Sequence, residues 1–178
     1  MTFKKILAAL DHSIQTPLVF EKALEQAKQC GGALFLVHSV RRETDVQTGP
    51  FLGIGTIADI DTYNTLRRVQ QEHLQREVDK ANNWLRDYWQ QAIAQEVTTE
   101  FECRVGEPSI EVCNAVRNWG ADLVVIGRRG HHGLTEVVLG SVSNYVVHRA
   151  PCSVLVVQGL LPTIKESAAT TTHTETKV

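Results

Sequence analysis

The chemistry-bearing part of this chain is a run of glycines, serines and basic residues at residues 124–157. An apolar segment ends at Ile126 and is followed by Gly127, Arg128, Arg129 and Gly130; after nine intervening residues come Gly140, Ser141, Val142 and Ser143. Glycines let backbone amides approach a ligand without a Cβ in the way, and the first amides of a helix have no intrahelical acceptor and sit at the positive end of its dipole. A glycine loop after a strand, followed by a glycine and serines opening a helix, is an arrangement that holds phosphate. Taken singly, the glycines read as turns and a cap; it is two glycine sites, each at the correct end of its element, that point to phosphate. His131 and His132 are adjacent and project differently, so they do not read as a metal pair.

Positioning such a loop requires a parallel sheet, and the rest of the sequence supplies one. Residues 6–10 form a short continuous apolar run, read as a strand buried on both faces. Thr16 and Pro17 suit a helix start, Thr as cap and Pro at the first position, and Val19, Phe20, Ala23, Leu24 and Ala27 follow at helical spacing before Gly31 and Gly32 end it. Ala33–Val40 is a second strand, so the strand–helix–strand order requires a right-handed parallel crossover. Residues 41–62 have no period and read as a long loop: a lid, a partner surface or an excursion.

From Tyr63 to Ala92 the apolar residues step through a charged background, which predicts one amphipathic helix of roughly 30 residues, with Trp84 and Trp89 packing it onto the sheet. Residues 97–105 form the third strand. Gly106, Glu107, Pro108 and Ser109 open a third helix, 123–126 is the fourth strand, a fourth helix runs from Ser141 to about His148, and 153–157 is the fifth strand. The predicted fold is a three-layer α/β/α domain, Rossmann-like, with a five-stranded parallel sheet in the order 3-2-1-4-5 and helices on both faces. It spans residues 1–158, and the Thr-rich tail over 159–178 reads as disordered.

Composition narrows the function classes. The 178 residues carry a formal charge of −2, which argues against a general nucleic-acid binder, and no apolar run approaches the ~20 residues of a membrane span. Cys30, Cys103, Cys113 and Cys152 form no CxxC pair and read as reduced thiols, consistent with the cytoplasm. The sequence has neither a P-loop nor the HxGH or SGGxDS marks of an adenylyl transferase or ATP pyrophosphatase. No general base or nucleophile stands out, which leaves at most slow hydrolysis or autophosphorylation, with Ser141 and Ser143 as the nearest hydroxyls.

The spacing G-x2-G-x9-G-[ST] at Gly127, Gly130, Gly140 and Ser141, together with LVHSV, GEPSIEV, ADLVVIGRRG and APCSVLVV, resembles the nucleotide-binding subgroup of the universal stress protein family. The resemblance implies a site for ATP, or for ADP or AMP, with Mg²⁺ on the phosphates rather than in a protein cage. By the same resemblance Asp11 reaches the adenine and ribose side, the Val40 backbone meets the adenine edge, Ile126 walls the base and Gly127 lies against the ribose. Arg129, Gly130, Gly140, Ser141, Val142 and Ser143 would bind the phosphates. Ala9 departs from the family, whose first strand often has Pro there, and implies a more open adenine pocket. The alternative for Asp11 is to cap a turn or the next helix.

The resemblance also implies a homodimer through the apolar last strand, 154–157, and a regulatory role in stress responses with a protein partner that the sequence does not name. The competing readings are a weak ATPase or autophosphorylating enzyme, and a dimeric scaffold or a sensor of another nucleotide such as a cyclic one.

Overall fold

The computed structural model describes residues 2–42, 57–128 and 139–159, with side chains from residue 64 onward in the second segment. Its elements in chain order are β1 (Lys5–Ala9), α1 (Thr16–Cys30), β2 (Ala33–Val40), α2 (Ile57–Ile93), β3 (Thr99–Val105), α3 (Pro108–Trp119), β4 (Leu123–Gly127), α4 (Ser141–Arg149) and β5 (Ser153–Val157). All strand pairs are parallel, in the order β3-β2-β1-β4-β5. This is the predicted sheet, and its physical basis is the alternation of two apolar clusters along β1, β2 and β4. Ile6, Ala8, Leu34 and Leu36 face α1 and α2, while Leu7, Phe35 and Val37 face α3 and α4. A strand covered on both sides reads as an unbroken apolar run, which is why β1 shows no polar alternation.

The Asp122 carboxylate accepts the backbone N–H groups of Lys4 (2.7 Å) and Lys5 (3.1 Å), fastening the start of β4 to the start of β1. Gly31 and Gly120, with φ of 56° and 71°, end α1 and α3 in the left-handed conformation that glycine adopts without a Cβ penalty.

Some boundaries shift by one residue, β1 covering Lys5–Ala9 rather than 6–10 and β4 ending at Gly127 rather than 126, and three further differences stand at the starts of α1, β3 and α2. The N-cap of α1 is Gln15, not Thr16, and the Thr16 hydroxyl turns back to the Asp11 carbonyl and carboxylate. The strand expected from residue 97 begins at Thr99, because Thr99 Oγ1 donates to the Val97 carbonyl and Glu96 occupies a positive φ of 62°, so the chain is still turning there. The second helix begins at Ile57 and is 37 residues long, so residues 57–62 of the expected loop are helical. Residues 43–56 and the tail beyond Gly159 lie outside the described residues.

Trp84 and Trp89 pack α2 onto the sheet as expected. Trp84 lies against Tyr88, and the Trp89 indole donates to the Thr99 carbonyl at 2.8 Å. All four cysteines are free.

Candidate functional site

Strand register brings the expected ligand residues to one rim. Ala9 stands opposite Val37 of β2 on one side and Ile126 of β4 on the other, so Asp11, Val40 and Gly127 all emerge just beyond the same rung, at the C-terminal end of the sheet. In an open parallel sheet this end, where the chain order reverses between β1 and β4, is where ligands bind.

The β1–α1 corner is held from two directions. Leu10 donates its N–H to the Val37 carbonyl at 2.9 Å, and its own carbonyl lies 2.9 Å from His38 Nδ1. A carbonyl only accepts, so Nδ1 carries the hydrogen. Asp11 Oδ1 receives the Ser13 N–H (3.0 Å) and the Thr16 hydroxyl (3.0 Å), an Asx turn fixing the corner that carries the carboxylate. The capping reading of Asp11 therefore describes one of its oxygens. On β2 the Val40 carbonyl accepts the Gly106 N–H at 2.9 Å, which occupies one of its two lone pairs.

The phosphate side is built where β4 ends. Arg128 donates its N–H to the Val157 carbonyl at 2.8 Å and accepts the Gly140 N–H at 2.9 Å. The buried Ser143 hydroxyl lies 2.6 Å from the Gly127 carbonyl and 3.2 Å from that of Arg128. These bonds seat the N-terminus of α4 on the β4 rim. The Asn144 N–H bonds the Gly140 carbonyl at 2.8 Å, so the amides of Ser141, Val142 and Ser143 precede the first intrahelical bond. Gly140 has φ −61° and ψ 158°, a conformation open to any residue, so its backbone does not require glycine. What glycine provides at that position is a helix N-terminus without a Cβ over it.

Asp11, Val40, Gly127 and Gly140 thus meet at one rim, with Ser141 exposed and Val142 half-buried beside them. Ile126 is 5% exposed with its side chain in the core, so it contributes backbone to the rim. The Ser143 hydroxyl is engaged with the chain, leaving its amide as the donor that faces outward from the first turn. Arg129 and Gly130 lie outside the described residues. Sequence reasoning missed Thr16 and His38, which hold the Asp11 corner; a histidine inside an otherwise apolar strand is the signal that would have found His38. Among the described residues no group of three or more His, Cys, Asp or Glu side chains forms a metal cage, and no helix is long and apolar enough to cross a membrane.

The class so defined is a doubly wound parallel α/β domain with a helix N-terminus at its switch point. The family model for the universal stress protein family matches residues 2–158, and the chain belongs to that family. It is 37% identical over 160 residues to Universal stress protein Sll1388 of Synechocystis sp., covering 89% of this chain and 99% of that one. Among solved structures it resembles universal stress protein UspA from Lactobacillus plantarum, with a TM-score of 0.71, 24% identity, and coverage of 89% of this chain and 99% of that chain. A universal stress protein solved in complex with cAMP has a TM-score of 0.56 at 20% identity, covering 89% of this chain and 98% of that one, and attests the fold.

Proposed function

We propose that this chain is a regulatory protein of the stress response that binds an adenine nucleotide, ATP first among them, across the C-terminal rim of its sheet. The observation that carries the reading is the seating of α4. Gly140 and Ser143 anchor its first turn to Arg128 and Gly127, on the same rim as Asp11 and Val40. Three amides at the positive end of a nine-residue helix, with no Cβ at Gly140, suit a phosphate group. The ribose and base extend toward Asp11 and Val40, with Arg129 and Gly130 completing the phosphate side.

Mg²⁺ rides on the phosphates and takes its remaining ligands from water, in keeping with the donor set of the rim, which is amide-rich. Two copies pair through β5, an edge strand whose Val154, Leu155 and Val156 are half-buried in the single chain. Sedimentation at twice the protomer mass of 19.8 kDa would support the pair, and a monomer would refute it. The protein works in the cytoplasm, consistent with its four free cysteines.

A cyclic nucleotide is the alternative occupant, since the same rim accepts any phosphate joined to adenosine. Catalysis has less support, because the Ser143 hydroxyl is donated into the chain. Mass spectrometry of ligand released from the purified protein, followed by calorimetry with ATP, ADP, AMP and cAMP, tests the reading. Retained or titratable adenine nucleotide is the expected result; an empty protein giving no binding heat with any of the four refutes it.

A further inference from the structure

The residue after Asp11 joins the rim to the longest helix. The His12 ring lies 4.3 Å from that of Trp84 and 4.9 Å from that of His38, centroid to centroid, and His38 lies 5.3 Å from Trp84. From Trp84 the rings continue to Tyr88 at 5.3 Å and from Tyr88 to Phe20 at 4.9 Å. His38 also bonds the Leu10 carbonyl, one residue before Asp11. One ring cluster therefore touches the corner carrying Asp11, the strand leading to Val40, and α2.

Helix α2 is supported unevenly. Ala81, Leu85 and Ala92 are buried against the sheet, whereas residues 64–73 are exposed throughout, Leu66 and Val69 at 48% and 51%. Ala81 is the last buried residue before that arm, and Trp84 lies one turn behind it. Leu66 is 18 residues further along, roughly 27 Å at 1.5 Å per residue, so a small rotation at Trp84 becomes a large displacement at Leu66. Asp11 Oδ1 is already fixed by Ser13 and Thr16, so a ligand contact at the carboxylate moves the corner as a unit and carries His12 with it.

We propose that the His12–Trp84 contact couples occupancy of the rim to the set of α2, so that the arm over residues 64–73 is presented differently with and without nucleotide. The proposal rests on the nucleotide reading of the rim. The two states are ring contact made and ring contact altered, and the ligand shifts between them to the extent that it binds one better. By linkage, a partner that recognises one setting of the arm changes nucleotide affinity in return.

The test is hydrogen exchange of α2 amides in the full chain, with and without saturating ATP and Mg²⁺, in wild type, His12→Ala and Trp84→Phe, with calorimetry on each. The expected result is a several-fold ATP-dependent change in exchange over residues 64–84 in wild type, retained in Trp84→Phe, which keeps a ring. In His12→Ala, ATP still binds but the change is lost. ATP binding that leaves α2 exchange unaltered in wild type, or alters it equally in His12→Ala, overturns the coupling and leaves the nucleotide reading standing. Absence of ATP binding to wild type overturns both.

Discussion

The Ser143 hydroxyl donates to the Gly127 carbonyl at 2.6 Å, joining the first turn of α4 to the end of β4 across 16 positions of sequence. Ser143 is 2% exposed and the Gly127 carbonyl it serves is half-buried, so Ser143→Ala removes one part-buried hydrogen bond. Such a loss destabilises by about 0.5–1.5 kcal/mol. Urea unfolding is expected to show that loss, and calorimetry a weaker nucleotide complex, because the helix N-terminus is less firmly seated. Weakened binding with unchanged stability would mean that the hydroxyl serves the ligand and not the chain.

Gly140→Val separates backbone need from ligand space. At φ −61° and ψ 158° valine fits the backbone, so the far-UV spectrum is expected to stay near normal, with a loss of about 1 kcal/mol for the poorer cap. The side chain would stand where a phosphate approaches, and nucleotide binding is expected to disappear. Wild-type affinity in this variant, measured by calorimetry, would remove α4 from the site.

For Asp11 two substitutions divide two roles. Asp11→Asn keeps an Oδ1 acceptor for the Ser13 N–H and the Thr16 hydroxyl, so thermal stability is expected to hold while the charge proposed to face a ribose hydroxyl is lost. Asp11→Ala loses both, and ATP affinity is expected to fall about tenfold, the equivalent of one charge-assisted hydrogen bond. Equal affinity in all three proteins would restrict Asp11 to the turn.

The sheet was legible in sequence because its central strands β1, β2 and β4 are buried on both faces and each helix carries its apolar residues toward one of them; Ile6, Leu7 and Ala8 are all fully buried. The rim was legible because strand ends in a parallel sheet must share a side. What sequence patterns did not carry is the local hydrogen bonding that fixes it. Thr16 reads as a cap, yet its hydroxyl serves Asp11, and His38 reads as one residue of a strand, yet its ring holds Leu10. The start of α2 was hidden because Ile57 and Ile60 directly follow Gly53 and Gly55, and a glycine-punctuated stretch reads as loop.

The thiols give a pH prediction. Burial raises the pKa of Cys103, Cys113 and Cys152 above the ordinary thiol value, with Glu102 adding to the rise at Cys103 and Asp122 at Cys152. In the unfolded chain these thiols ionise first, so above the ordinary thiol pKa the native state holds more protons and its stability falls as pH rises. Urea midpoints are expected to decline through the alkaline range, and alkylation of these three cysteines at neutral pH to be slow. Rapid modification of native protein at neutral pH would contradict the burial.

Helix α2 offers the sharpest contrast in energetics within one element. Leu85 is fully buried against the sheet, and Leu85→Ala is expected to destabilise by about 2–5 kcal/mol, combining lost apolar transfer with a residual cavity. Leu66, at 48% exposure on the same helix, loses far less in the same substitution, within about 0.5 kcal/mol. Urea unfolding of the two variants measures both. Comparable losses would mean that the arm is packed in solution, against a second copy or another part of the chain, and would give Leu66 a structural role that its exposure in the single chain does not predict.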